Sequence, residues 1–472
     1  MSAWCVWRLT RLKFENLPAV RKFQRTASTM KKLFKEIPGS IVAPQGFLAS
    51  GVFCDLKRLG TGKGSNKGQK RDLALIVSEV PAAVAGMFTT NQVCAAPVKV
   101  CVERVKKGVA QAIVVNSGNA NACTGKKGLQ DACEMTARLA GQLRMPAEHV
   151  LVGSTGRIGV KMPMANVCAG INQAVALLDH SPASAAHAVE AIMTSDTRPK
   201  QFAVEFKLRG KTVRLGGICK GAGMIQPGMS ATGARPAALP QGLHATMLCF
   251  LTTDVAIGPK TLRTALREAV AQSFNRITVD GDMSTNDTVL VLANGLAGNP
   301  EVRSQKSEVR SFQAALNHVC LELAKMIVRD GEGVHRVVTV RVNGARSVAD
   351  ADAAARAVAN SALVKTSWHG GDPNWGRIMD AIGYSRATVV EEKIDVGYSA
   401  PGGRKILWGL KSGRPTKATF KQLCAAVAPE EFDLHIQLNL GQARAVMYAA
   451  DLTEAYVDFN KGDVADPGSL GG

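Results

Sequence analysis

Residues 73–77 read Leu-Ala-Leu-Ile-Val, apolar at every position. A strand with one face in water alternates apolar and polar residues, so a run of this kind implies a sheet covered on both faces. Ala-rich stretches between the apolar runs supply the helices that such cover needs. Ala112–Val115, Thr288–Ala293 and Val337–Val342 are predicted strands; Leu129–Leu143, Ala185–Met193 and Ala314–Val328 are predicted helices, the last with Leu and Ile at helical spacing. Pattern alone therefore places the chain in the mixed α/β class, without internal repeats. Its 472 residues, 46% of them hydrophobic, suffice for two or three domains by length.

Composition narrows the function classes. No apolar run approaches the roughly 20 residues that cross a bilayer. The net charge of +20 is unevenly spread, because residues 1–35 hold nine Lys or Arg against the single acid Glu15. That segment interleaves Trp4, Trp7, Leu9, Leu12 and Phe14 with its basic residues, the acid-poor amphipathic pattern of a mitochondrial transit segment, and it lacks the apolar core of a secretory signal. A mitochondrial matrix location is the expectation. The remaining +12 suits a protein that draws in small anionic ligands by field steering. Nucleic-acid binding is not expected, since aromatics make up 5% and no zinc-finger or RNP-like motif is present. Eleven scattered cysteines without a Cys-x-x-Cys pair are read as mostly buried thiols, and no metal site is expected. Gly60–Arg71 lacks P-loop spacing and is read as a surface loop, and Ser230–His244 as an irregular stretch.

Several polar motifs recur in order along the chain. They are Pro44-Gln-Gly-Phe47 with Asp72–Asn91, Asn116-Ser-Gly-Asn-Ala-Asn-Ala-Cys-Thr-Gly125, Gly153-Ser-Thr-Gly156, Lys220-Gly-Ala-Gly-Met-Ile-Gln-Pro-Gly-Met229 with Ala245-Thr-Met-Leu248, Asp280–Asp287, Asp330-Gly-Glu-Gly333 and Gly371–Ile378. Their order over residues 43–460 resembles the ornithine acetyltransferase (ArgJ) family. That resemblance implies a layered αββα sandwich of the ArgJ/DmpA-like type. It also implies self-cleavage between Ala245 and Thr246, giving an α chain (36–245 after removal of 1–35) and a β chain (246–472) that form one interlocked catalytic unit, assembled as a heterotetramer of two α and two β chains.

The chemistry of such a cut is coherent. A threonine inside a chain lacks a nearby base, whereas one at an N-terminus carries its own in an α-amine that titrates near pH ~8. The resemblance implies that Thr246 attacks the acetyl group of N-acetylornithine and passes it to glutamate by a ping-pong route, with acetyl-CoA a candidate second donor and no cofactor. It assigns the oxyanion donors to Thr155 and Gly156, and substrate contacts to Thr194, Lys220, Glu332, Asn460 and, weakly, Ala465, which stands where the family has Thr or Ser. This chain also departs from the family by the fifteen-residue stretch Ser230–His244 between the Lys and the Thr. By spacing from Lys220, Thr232 is a rival nucleophile. Rival functions are a self-processing N-terminal-nucleophile amidase or aminopeptidase, an uncleaved inactive binding protein, and a basic nucleic-acid binder acting through residues 1–35.

Overall fold

The apolar run at 73–77 begins a sixteen-residue strand, Leu73–Phe88. A computed structural model of the protein describes residues 34–57, 70–234, 247–303 and 306–461; most of the basic N-terminal segment, the Gly60–Arg71 loop up to residue 69, residues 235–246 and the C-terminal tail lie outside it. In chain order the strands are β1 (Lys35–Glu36), β2 (Phe47–Val52), β3 (Leu73–Phe88), β4 (Val109–Asn119), β5 (Val150–Arg157), β6 (Lys200–Leu208), β7 (Lys211–Lys220), β8 (Leu248–Thr253), β9 (Ile277–Thr278), β10 (Thr288–Ala293), β11 (Val337–Ala345), β12 (Asp395–Ser399), β13 (Leu407–Lys411), β14 (Arg414–Pro415), β15 (Glu431–Gln437) and β16 (Ala443–Ala450). The helices are α1 (Ala96–Val105), α2 (Gly125–Leu143), α3 (Met164–Ala176), α4 (Pro182–Ile192), α5 (Pro259–Gln272), α6 (Lys306–Arg329), α7 (Val348–Asn360), α8 (Ala362–His369), α9 (Trp375–Gly383), α10 (Phe420–Val427) and α11 (Glu454–Asn460).

Strand β3 is the spine of the first sheet, whose order is β1-β6-β7-β8-β10-β3-β4-β5 with β2 joined to β3. Its first part pairs with β2 and β4, and its last part with β10. The register against β4 slips between Val77 and Ala82, which brackets Pro81. Proline has no N–H to give the ladder, so a bulge there bends the strand. The sheet is thereby divided into two leaves that face each other. A Cβ built on Gly153 of β5 would lie 3.1 Å from Phe250 Cζ of β8, although three strands separate β5 from β8 in hydrogen-bonding order.

The period-two alternation of β8 shows the layering. Leu248 and Phe250 enter the core shared with β2–β5, whereas Cys249 and Leu251 enter the core under α5 and α6. Helices α1–α4 cover the leaf containing β2, β4 and β5, and α5 and α6 cover the other, which makes the expected αββα sandwich. Both sides of residue 245 contribute strands to it, and the strands and helices read from sequence fall inside observed elements except that Met193 lies one residue past the end of α4.

Residues 337–450 add a second sheet, ordered β14-β13-β12-β15-β11-β16-β9, with a core of its own. Sequence pattern did not separate this lobe. The Gly371–Ile378 motif works here as a helix start, Asn374 accepting from Arg377 N–H at 3.0 Å to cap α9. Short β9 precedes β10 in the chain yet pairs with β16, so it stitches the lobes together. Among the described cysteines four are buried, four half-buried and two exposed, fewer buried than expected, and none is in a disulfide.

Phe250 is fully buried between the leaves. Phe250→Ala is expected to lower stability by about 3–5 kcal/mol through the cavity it leaves, whereas Phe420→Ala on an exposed helix start should change it by less than about 0.5 kcal/mol. Urea denaturation of the two variants checks this.

Candidate active site

Strand β5 carries Ser154, Thr155 and Gly156 beside the end of β4, with Ser117 opposite Thr155 and Gly118 opposite Gly156. Amides staple this corner in place. Ser154 Oγ donates to Asn116 Oδ1 at 2.6 Å, and Asn286 Nδ2 donates to the carbonyls of Ser154 at 2.8 Å and Ala120 at 2.7 Å. Gly156 has φ +129°, and a Cβ there would stand 2.3 Å from the Gly118 carbonyl carbon, so no side chain fits. Buried Thr155 meets buried Lys220 Nζ at 3.2 Å. An ammonium only donates, so the threonine oxygen accepts and its own O–H is left to donate elsewhere.

Lys220 ends β7, on the opposite leaf. Burial pushes its ammonium pKa down, with Asp196 opposing. The Asp196 carboxylate is the junction of several segments, accepting at Oδ1 from Gly221 N–H at 2.7 Å and Lys200 Nζ at 2.6 Å, and at Oδ2 from Thr194 N–H at 2.9 Å. Burial would raise this carboxyl, but Lys220, Lys200 and the Gly221 N–H together hold it well below the usual carboxylate range. The opposite balance on Lys220 has a simple cause: it faces Lys200 as well as Asp196, so burial wins.

Lys200 continues the network to Asp330, which also accepts from Thr197 N–H at 3.0 Å and Arg198 N–H at 3.2 Å. Two residues on, Glu332 N–H donates to Ala222 O at 2.9 Å, and a Cβ on Gly223 would lie 2.3 Å from Glu332 Oε2. Asn460 Nδ2 donates to that same carboxylate oxygen at 3.0 Å. Helix α11, which carries Asn460, is capped by Thr453, whose hydroxyl docks on Gly333 O at 2.7 Å. Thr194 and Lys220 are thus held at one set of buried charges with Thr155 at its edge, and Glu332, bonded to exposed Asn460, acts on Lys220 from beside it.

The described chain resumes beside Lys220. Leu248 pairs with Lys220 across β7 and β8, and Met247 N–H donates to Asp287 Oδ1 at 2.6 Å. Burial drives the Asp287 carboxyl well above its ordinary range, with Met247 N–H and Lys220 opposing. Its Oδ2 has no hydrogen-bond partner among the described residues. Ala245, Thr246 and Ala465 lie outside the described residues. Thr232 lies within them, exposed in a turn bridged to Phe88, its hydroxyl accepting from Ala234 N–H at 3.2 Å.

The arrangement offers a hydroxyl donor beside a buried cation, and a carboxylate placed to receive an ammonium. Sequence reading missed Asp196, Lys200 and Asp287, and the stapling amides of Asn116 and Asn286. Asp287, Asn116 and Asn286 stand inside motifs that were recognised as signatures, while Asp196 and Lys200 follow Thr194 closely. A signal was present, but only the fold shows what they hold.

The chain is similar to known proteins over most of its length. Residues 58–462 match the ArgJ family. Over 424 residues, covering 90% of this chain and 98% of the relative, the chain is 45% identical to the arginine biosynthesis bifunctional protein ArgJ of Symbiobacterium thermophilum. It is 44% identical over 430 residues, again 90% and 98%, to the glutamate N-acetyltransferase of Methanocaldococcus jannaschii. Among solved structures, the arginine biosynthesis bifunctional protein ArgJ of Bacillus halodurans is 41% identical, covering 42% of this chain and 98% of that one with a TM-score of 0.39. The ornithine acetyltransferase of Mycobacterium tuberculosis complexed with ornithine is 36% identical, covering 42% and 100% with a TM-score of 0.37.

Asp196→Asn leaves Lys200 and Lys220 short of a buried partner and is expected to cost about 3–5 kcal/mol at pH 7. A carboxylate with a depressed folded pKa stabilises above its unfolded value near 4 and loses that contribution as pH falls. The cost should therefore shrink by about 1 kcal/mol at pH 3, measured by urea denaturation at both pH values.

Proposed function

Because the chain belongs to the ArgJ family, we propose that the corner formed by Thr155, Gly156 and Lys220 is the acetyl-transfer site of this glutamate N-acetyltransferase. The protein is an acyltransferase of arginine biosynthesis. One observation supports this location above others: Thr155, Thr194 and Lys220, from three distant stretches, meet at the buried charge network, and half-buried Glu332 with exposed Asn460 borders it.

In this reading the Thr246 hydroxyl attacks the acetyl carbonyl of N-acetylornithine while its own α-amine takes the hydroxyl proton. The carbonyl oxygen becomes an anion opposite the Thr155 O–H and the Gly156 N–H. Collapse of the tetrahedral intermediate breaks the C–N bond, the α-amine returns the proton to the departing nitrogen, and ornithine leaves an acetyl-threonine ester. The amino group of glutamate then attacks that ester, restoring free Thr246 and yielding N-acetylglutamate. Lys220 spends one donor on Thr155 and has two left for a substrate carboxylate, while Glu332 faces the substrate ammonium. Asn460, already bonded to Glu332, closes that side.

Self-cleavage uses the same hydroxyl and oxyanion donors but not the α-amine, which the cut itself creates as the hydroxyl proton passes to the departing amide nitrogen. Attack of Thr246 on the Ala245 carbonyl moves the acyl group from nitrogen to oxygen, and water then releases the 36–245 and 246–472 chains. Acetyl-CoA would load the same hydroxyl as an alternative donor. Assembly as two α and two β chains belongs to this proposal. So does a mitochondrial matrix location, which rests on the composition of residues 1–35; the bacterial relatives lend it no support.

N-terminal sequencing of the purified protein should show a chain starting at Thr246, and Thr246→Ala should give one uncut chain without an acetyl adduct. A chain starting at Thr232, or an uncut active wild type, would remove Thr246 as the nucleophile. In the processed enzyme Thr155→Val is expected to lower kcat about 10²–10³-fold with KM little changed. Glutamate-dependent acetyl transfer is the readout, and glutamate-independent hydrolysis would instead identify an amidase.

A further inference from the structure

Three ligand-type side chains converge where the second lobe meets the turn that carries Glu332. His335 precedes β11, Asp451 follows β16 and His369 ends α8, and one donor atom from each lies within 4.8 Å of the other two. Linear spacing hides the group, since no two of these residues are close in sequence. Strand pairing explains half of it. Val337 of β11 lies opposite Ala450 of β16, so the residues flanking those ends meet, and His335 N–H donates to Asp451 Oδ1 at 3.0 Å.

The other Asp451 oxygen is the telling atom. Oδ2 belongs to a side chain with no exposed surface and has no hydrogen-bond partner among the described residues. It faces His369 Nδ1 at 3.5 Å, and that atom is likewise buried and unpartnered. On its far edge His369 Nε2 lies 2.9 Å from Glu454 Oε2. An ionised carboxylate can only accept, so in the neutral imidazole Nε2 carries the hydrogen and Nδ1 presents a lone pair. Two lone pairs, one on Asp451 and one on His369, then confront each other, a costly arrangement for buried atoms unless a cation is shared. Nearby Lys365 feels the Asp451 charge, but its ammonium bonds Ala450 O and makes no hydrogen bond to Oδ2. His335, its ring 5.8 Å from that of His369, brings a third donor from the solvent side.

We propose that His335, His369 and Asp451 form a binding site for a divalent transition metal of the zinc class, with Glu454 as the outer carboxylate that orients His369. Two imidazole nitrogens with one carboxylate oxygen suit zinc, cobalt or nickel better than magnesium or calcium. A carboxylate behind a ligating histidine is the usual means of fixing its tautomer and ring plane. The backbone is prepared as well: Arg336 Nη1 donates to Trp368 O at 2.9 Å and to His369 O, pinning the end of α8. The site stands independently of the acetyl-transfer reading.

The test uses the full chain, dialysed against a chelator and titrated with Zn²⁺ by calorimetry and with Co²⁺ by visible absorption. One equivalent is expected, with cobalt d–d bands free of thiolate charge transfer. His335→Gln and His369→Gln should each abolish or sharply weaken binding, and Glu454→Gln should weaken it about 10–100-fold without changing the stoichiometry. Should His369→Gln fail to fold, His335→Gln and Glu454→Gln decide the matter from exposed positions. A wild type that binds no metal, binding unaffected by these variants, or a thiolate band placing the ion on exposed Cys123 or Cys133 would each overturn the site. An Nδ1–H signal of His369 persisting in the presence of Zn²⁺ would show that a proton, not a metal, is the shared cation.

Discussion

One ammonium group organises the first lobe. Lys200, 1% exposed, lies between the carboxylates of Asp196 and Asp330. Without that charge two buried anions would share a site, a situation in which one normally keeps its proton. With it, three segments distant in sequence meet: the Thr194–Lys200 stretch, the turn after β7 and the turn after α6. Burying three charges stabilises little in net terms, because desolvation cancels much of the attraction. What the triad contributes is position, since each carboxylate also holds backbone N–H groups of a neighbouring loop, Gly221 and Thr194 on Asp196, Thr197 and Arg198 on Asp330.

The bend in β3 gives this network its setting. Thr155 stands on one leaf of the sheet and Lys220 on the other, and they touch because the leaves face each other across a shared core. Lys220 and Leu248 are register partners, so the intervening chain leaves and returns at one place. Lengthening such an excursion about twofold adds only about 0.6 kcal/mol of closure entropy.

Local chemistry was legible in the sequence wherever it was carried by pattern. The uninterrupted apolar run at 73–77 implied a doubly covered sheet, and the Ala-rich spacings marked helices, because burial on a 2.0 or 3.6 period needs only neighbours in the chain. Residues whose roles depend on distant partners were not legible. Asp287 looks like one more turn carboxylate until Met247 N–H is seen on it. The Gly371–Ile378 motif was recognised correctly as a family signature, yet its visible task is to start α9 rather than to meet substrate. The second lobe escaped notice because its alternating strands and short Ala-rich helices resemble those of the sandwich, and only pairing assigns them to a separate sheet.

The two ladders that flank residue 245 carry a mechanical consequence. Strand β7 is hydrogen-bonded to β8 and strand β3 to β10, so both ladders join residues from opposite sides of that position. A break in the backbone there would sever one covalent bond and no ladder. The two pieces would be threaded through a common core, unable to drift apart on dilution as ordinary subunits do. Their association would be as durable as the fold itself, and a fresh N-terminus could be created inside a finished protein without disturbing the groups arranged to receive it.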